Sequence, residues 1–404
     1  MLTFVYTARD TTTNKVVSST VQAESERAAA KLLMAQGIVP LEIVEQSKKQ
    51  NFLQKFMNRV STKEKIIFTR QLATLINAGL PLAQSLHTLA DQTQSKQFKA
   101  DINDIITSIE GGSSLSVAFA KHPTVFDDVY IALIAAGEVS GTLDQALERI
   151  ADQQEKDAEM LGKVRGAMVY PAIVLVVIVG VIAFMMFTVV PQIQRLYSDL
   201  KQELPFTTAL MVNVTSFFAT YWWLVVIIVV AIIYFARRYF MTDAGREVID
   251  TFKLRMPLFG PLFQKLYMAR FTRTGQTLLA TGVPMLEMLR ISSNSVNNVV
   301  VAKSIMRAAE KVKGGKALSV ALKNDDNILP LVSQMISVGE QSGGIDKMMG
   351  KAATYYENEL DTAIRSISTA IEPILMVVLA LMAGFMVGAI LLPVYQLVDS
   401  NPTL

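Results

Sequence analysis

The chain contains no cysteine anywhere in its 404 residues, which excludes a disulfide framework, a thiolate zinc site and a cysteine nucleophile. Only two histidines are present, His87 and His122, too few for a multi-histidine metal site. Charged residues are scarce at 18% against 51% hydrophobic, and the net charge of +3 carries no nucleic-acid signal. A mean hydropathy of +0.36 is more apolar than an ordinary soluble protein and points to contact with a bilayer. The first residues lack the basic start and long apolar run of a signal peptide, so the front of the chain is expected to stay in the cytosol.

Three uncharged apolar runs are present, at 172–190, 217–236 and 374–392, with lengths of 19, 20 and 19 residues. As helices each is long enough to cross about 30 Å of hydrocarbon. The first holds 13 Val, Ile, Leu and Phe residues, worth about −5 kcal/mol for insertion. Their direction follows from nearby cations. Lys156, Lys163, Arg165, Arg237, Arg238, Arg246 and Arg365 fall on one side, against Arg195 and Lys201 on the other. The N-terminal region and 237–373 are therefore expected in the cytoplasm, with the loop 191–216 and the tail 393–404 outside. Tyr221, Trp222 and Trp223 open the second run as interfacial aromatics do.

An internal repeat accounts for the odd number of spans. Phe68-Thr-Arg-Gln-Leu-Ala-Thr-Leu-Ile-Asn-Ala-Gly-Leu-Pro81 aligns with Phe271-Thr-Arg-Thr-Gly-Gln-Thr-Leu-Leu-Ala-Thr-Gly-Val-Pro284, an offset of 271 − 68 = 203. One residue then drops out, and Gly137-Glu-Val-Ser-Gly-Thr-Leu-Asp144 matches Gly339-Glu-Gln-Ser-Gly-Gly-Ile-Asp346 at 202. Pro171 and Pro191 bracket the first span as Pro373 and Pro393 bracket the third. Each repeat is thus read as a soluble module followed by an outbound helix. Two such units share one orientation only if 217–236 brings the chain back between them.

Within the module, Ser61-Thr-Lys-Glu64 is a capping-box pattern ahead of Phe68, Leu72, Leu75 and Ile76 on one helical face. Further apolar stripes, at Leu82, Leu86 and Leu89 and again at Ile102, Ile105 and Ile106, are separated by Gly79-containing and Gly111-Gly112 stops. The fold class is all-α polytopic membrane protein: two tandem cytoplasmic helical bundles at 61–170 and 237–373, and three transmembrane helices. Residues 1–46 differ. Strand-like alternation at Phe4, Tyr6 and Ala8, a partner at 16–23, a helix over 25–36 and a strand at 41–44 predict a small α/β appendage. Between them, 47–60 is a basic amphipathic linker, either a plain linker helix or one lying on the membrane surface.

No catalytic constellation emerges. Gly315-Lys316 has Glu310 where a phosphate loop needs its first glycine, and neither histidine sits in a triad pattern. The expectation is a protein that is not an enzyme, with no cofactor and no metal site. The spans carry no acidic or basic residue to mark an ion route. That weakens the rival reading, a small secondary transporter with cytoplasmic helical domains. The twice-occurring Gly-Glu-x-Ser-Gly motif reads first as local structure, a C-cap at Gly137 followed by a new helix start. That account leaves Glu138, Asp144, Glu340 and Asp346 unexplained. They are candidates for partner contact, or for a weak cation site. Gly384-x-x-x-Gly388 permits close helix packing in the membrane.

The Phe68–Leu82 string, the repeated Gly-Glu-x-Ser-Gly motif and Tyr170-Pro171 together resemble the inner-membrane platform family of type IV pilus and type II secretion machines. The resemblance covers nearly the whole chain. It implies a multi-pass protein at the base of a filament whose bundles engage a hexameric assembly ATPase, and in some machines a retraction ATPase. Its spans would meet pilin or pseudopilin subunits and other inner-membrane assembly proteins, and the protein would form a homodimer or larger homo-oligomer. Arg70 and Arg273, the matched arginines of the repeated string, join the candidate partner-contact residues. Because Arg70-Gln71-Leu72 becomes Arg273-Thr274-Gly275 in the second copy, equivalent surfaces of the two copies need not bind the same partner.

Overall fold

A computed structural model describes residues 2–10, 16–23, 30, 32, 38–45, 60–199, 206–257 and 259–400. The chain divides into two compact units, one formed by residues 1–61 with 93–100 and the other by the remainder.

The N-terminal unit holds an antiparallel sheet of β1 (Leu2–Asp10), β2 (Val16–Ala23) and β3 (Ile38–Glu45) in the order β2-β1-β3. Strand β1 pairs Leu2 with Ala23 and Arg9 with Val16. Strand β3 lies at the edge, where Pro40 opposite Ala8 is tolerated, and the register shifts beside it between Thr7 and Ala8. Of the helix expected over 25–36, Ala30 and Leu32 are described and both are helical. The turn at 11–15 and residues 47–59 of the basic linker lie outside the described residues.

The first repeat runs α1 (Thr62–Asn77), α2 (Leu82–Gln92), α3 (Lys96–Glu110), α4 (Leu115–Ala120), α5 (Asp128–Ser140) and α6 (Leu143–Phe184). After a π-helical turn (Met185–Val189), α7 (Val190–Asp199) follows. Helix α8 (Phe206–Phe240) returns, kinked at Tyr221 (φ −109°, ψ 21°), and α9 (Asp243–Arg255) leads to the second repeat. That repeat is α10 (Gly260–Ala280), α11 (Met285–Ser295), α12 (Val299–Lys313), α13 (Leu318–Leu322), α14 (Pro330–Ser342) and α15 (Ile345–Ser400).

The duplication is visible in the backbone. The positive-φ glycines form three pairs at the repeat offsets: Gly79 and Gly282 at 83° and 84°, Gly112 and Gly315 both at 87°, Gly141 and Gly343 both at 72°. Each ends a helix in the left-handed conformation that glycine reaches without a Cβ penalty.

The core of the first bundle gathers Leu72, Leu86, Ile102, Leu133 and Leu147 around an aromatic cluster. There Phe119 meets Phe126 edge-on at 4.4 Å between ring centroids, and Tyr130 packs 4.7 Å from Phe126. The second bundle closes over Phe271, Leu289, Ile305, Val332 and Met349.

Three helices are long and apolar enough to cross a membrane, and the rest of the chain buries little of their apolar surface. The helices run on past the apolar stretches. Pro171 lies inside α6, Pro191 inside α7, and Pro373 and Pro393 inside α15, so the prolines that border the runs 172–190 and 374–392 do not end the helices. The 191–216 segment is helical to Asp199 and again from Phe206, and the tail is helical to Ser400. Proline's missing N–H is tolerated in apolar helices whose neighbours and local backbone adjustments re-satisfy the freed carbonyl.

Candidate functional site

The Gly-Glu-x-Ser-Gly motif builds the same joint in both copies. Gly137 is not a C-cap. It lies within α5, buried, where an added Cβ would come within 2.6 Å of the Ala146 Cβ and 3.2 Å of the Leu143 Cα. Gly339 meets Ile345 in the same way at 2.7 Å. The left-handed cap falls instead at Gly141 and Gly343. Thr142 opens α6 without a side-chain cap, while Ser140 donates back to the Ala136 carbonyl at 2.7 Å.

Glu138 turns across to α4. Its carboxylate accepts from the Leu115 N–H, from the Ser116 N–H at 3.0 Å and from the Ser116 hydroxyl at 2.5 Å. Glu340 accepts from the Leu318 N–H at 2.6 Å, the Ser319 N–H at 3.2 Å and the Ser319 hydroxyl. A carboxylate thus satisfies the orphan donors of a short helix from another element, where the positive end of the dipole also favours it. Asp144 and Asp346 sit half-buried in the first turns of α6 and α15.

Arg70 and Arg273 each fork onto the glutamate at one matched position. Arg273 donates to both Glu357 oxygens at 2.8 Å, and from Nη1 to the Gln276 amide oxygen at 3.0 Å. Arg70 donates to both Glu155 oxygens at 2.7 Å, and also to Glu148 at 2.7 Å and Asp152 at 2.5 Å. Those hydrogen bonds hold Glu155 below the ordinary carboxylate range and raise the Arg70 guanidinium above its own ordinary value.

Between the copies lies a contact that residue periodicity did not reveal. Gln153 of α6, buried, donates to the Thr274 hydroxyl at 3.4 Å and accepts from the Thr277 hydroxyl at 3.2 Å, both on α10. Its neighbour Gly275 lets α10 approach Met349 of α15, which a Cβ would strike. The departure Thr274-Gly275 is therefore where the second copy receives the first copy's long helix and its own. Lys163 of α6 donates to Asp361 of α15 at 2.8 Å, and Asn294 of α11 donates to Asp128 of α5 at 2.9 Å.

A cleft of about 560 Å³ opens between α6 and α10, lined by Arg149, Glu155, Lys156, Glu159 and Arg273 among others. A second, of about 390 Å³, lies between α5, α6 and α11. Asp157 borders it. One face of its carboxyl reaches solvent while Oδ1 is buried and hydrogen-bonds nothing. Burial pushes this carboxyl up, against the pull of Arg270, whose Nε stands 3.7 Å away. Among the described residues no group of three acidic or histidine side chains is placed to hold a metal ion.

In the third apolar helix, Gly384 is exposed and Gly388 half-buried, and no described atom lies within 4 Å of a Cβ built on Gly384.

Two helical modules, each continuing without a break into an apolar helix, define a multi-pass membrane protein built by tandem duplication. The family model for type II secretion system protein F matches residues 68–191 and again 271–393, and the model for that protein's N-terminal domain matches 1–44. Over 99% of both chains the protein is 37% identical to the type IV pilus assembly protein PilC of Thermus thermophilus. It is 34% identical to the PilC of Pseudomonas aeruginosa over 90% of this chain and 97% of that one. The type II secretion system protein F of Vibrio cholerae is 30% identical over 98% of both. The chain belongs to the PilC and type II secretion protein F family of inner-membrane proteins.

Proposed function

We propose that this protein is the platform of a type IV pilus or type II secretion machine, passing the motion of a cytoplasmic assembly ATPase to pilin or pseudopilin subunits in the bilayer. It hydrolyses nothing itself. The N-terminal region and both modules face the cytoplasm, and the C-terminus lies outside. The observation that carries this reading is helix continuity. Helix α15 spans 56 residues, about 84 Å at the helical rise, far more than the hydrocarbon thickness. Helix α6 likewise leaves its module and enters its apolar stretch unbroken. A packed bundle at one end of a continuous helix turns or tilts the other end with it, and a flexible linker would not.

Because the chain has no cysteine, topology is open to single-cysteine labelling. In intact cells treated with an impermeant thiol reagent, Lys201→Cys reacts, while Arg246→Cys and Lys55→Cys do not until the membrane is permeabilised. Reaction at Arg246→Cys in intact cells would put the second module outside, beyond a cytoplasmic motor. ATP hydrolysis by the purified chain would refute the passive role.

A further inference from the structure

The second apolar helix is long enough to span from Thr220 to Phe240, and α9 begins three residues later at Asp243. The turn between them is tight. The Thr242 hydroxyl donates to the Tyr239 carbonyl at 2.6 Å and accepts from the Gly245 N–H at 3.2 Å. A Cβ on Gly245 would strike the Tyr239 carbonyl and come within 2.9 Å of the Phe240 Cα. The Gly245 face of α9 is therefore pressed onto the last turn of α8 and looks toward the bilayer.

That face continues as apolar surface. At about 100° per residue, Phe252 lies seven positions on and within about 20° of Gly245, and Val248 lies about 60° to one side. Both are exposed, Val248 by 54% and Phe252 by 62%, as is Met241 in the turn. Along the chain they extend the exposed apolar surface of α8, which reaches Tyr239 and Phe240.

The charges are sorted the other way. The three acidic residues of α9, Asp243, Glu247 and Asp250, fall in one arc about 140–200° from Gly245. Helix α12 meets that side: buried Asp250 accepts from the Val299 N–H at 2.9 Å, and Glu247 lies 2.8 Å from Lys303. Arg237 and Arg238 at the end of α8 and Arg255 at the end of α9 are exposed, and make no ion pair among the described residues.

We infer that α9 lies on the surface of the phospholipid bilayer, its Val248 and Phe252 face sunk among the headgroups and the three unpaired arginines meeting lipid phosphates. An apolar stripe turned to the bilayer, carboxylates turned from it and cations at the rim are what such a surface selects. The stripe starts where the span ends, so lipid is already its neighbour. Held between lipid on one side and α12 on the other, α9 sets the height and tilt of the second module against the membrane. The inference holds on either side of the bilayer and does not rest on the topology proposed above.

The lack of cysteine makes the test direct. Nitroxide labels are attached to Glu247→Cys, Val248→Cys and Phe252→Cys in the full-length chain, reconstituted in vesicles of phosphatidylethanolamine and phosphatidylglycerol. Collisions with oxygen and with a water-soluble nickel chelate are then read by electron paramagnetic resonance. The ratio of oxygen to nickel collisions at 248 and 252 should exceed that at 247 about tenfold, as immersion of about 5–10 Å implies. Adding Phe252→Glu should return the 248 label to water, and adding Phe252→Leu should leave it immersed. Both should keep the melting temperature in detergent, because Phe252 is exposed, and the comparison of 247, 248 and 252 stands without them. Nickel collisions as frequent at 252 as at 247 overturn the inference. A 252 label shielded from both reagents overturns it as well, spin–spin broadening then giving the face to a second copy of this chain and its absence to another part of the same one.

Discussion

Glu138 and Glu340 are single side chains that close the start of a helix on another element. Truncating Glu138→Ala leaves the Leu115 and Ser116 N–H groups without their acceptor, a loss comparable to removing a helix N-cap, about 1–2 kcal/mol. Urea denaturation of the detergent-purified protein checks it, and Glu340→Ala should cost a similar amount at its own joint. Arg70 makes a different prediction, because its effect depends on pH. Glu155 has its pKa lowered below 4.5 by the Arg70 hydrogen bonds, so its contribution is present above that value and lost as pH falls through the lowered one. In Arg70→Ala, Glu148, Asp152 and Glu155 repel without a cation between them. The variant should therefore be less stable than the wild type at pH 7, and the gap should narrow on acidification below pH 4.5, as paired urea midpoints would show.

At the scale of elements, two glycines of one motif do opposite jobs. Gly137→Ala would normally favour a helix by about 1 kcal/mol, but the new Cβ is driven to 2.6 Å from Ala146 on the next helix. Separating α5 from α6 costs about 1–3 kcal/mol as overpacking does, so the net effect is destabilising. Gly141→Ala meets no neighbour and suffers only its φ of 72°, about 1 kcal/mol. Thermal melts should show both variants weakened, Gly137→Ala with a larger loss wherever α5 and α6 cannot spread. This pair also marks what sequence could tell. Helices, stops and the duplication were readable from apolar spacing and recurrent glycines, because those express local periodicity and φ. Which glycine turned and which one packed was not, since close approach depends on where α6 lands. The Glu138 cap and the Gln153 bond to Thr274, 121 positions apart, are set by packing between elements. Their traces in the sequence were the glutamate that recurs at 138 and 340 and the Thr274-Gly275 break in the repeat. The prolines border the apolar runs without ending the helices, because apolar helices held by neighbours carry them through.

For the whole molecule the question is whether modules and spans move together. Helix α6 pairs with α15 through Lys163 and Asp361 just before the apolar stretch begins, and beyond it the π turn and α7 pack against α8. The angular setting of the first span is thus held at both ends. One alanine inserted between Gly166 and Ala167 turns everything beyond it by about 100° and lifts it about 1.5 Å. The span would present a different face to α8 and to any subunit in the bilayer, while the module behind it keeps its contacts. Seven inserted residues add about 700°, only about 20° short of two full turns, at the expense of about 10.5 Å of length. If motion passes through a rigid helix, the single insertion should abolish filament assembly or secretion, and the seven-residue insertion, though longer, should recover a substantial part. A flexible tether would tolerate one residue at least as well as seven. Counting surface filaments or secreted substrate in the two strains, with membrane levels of the protein matched, separates the cases: full activity with the single insertion excludes torque-tight coupling through α6 and leaves α15 to carry it alone.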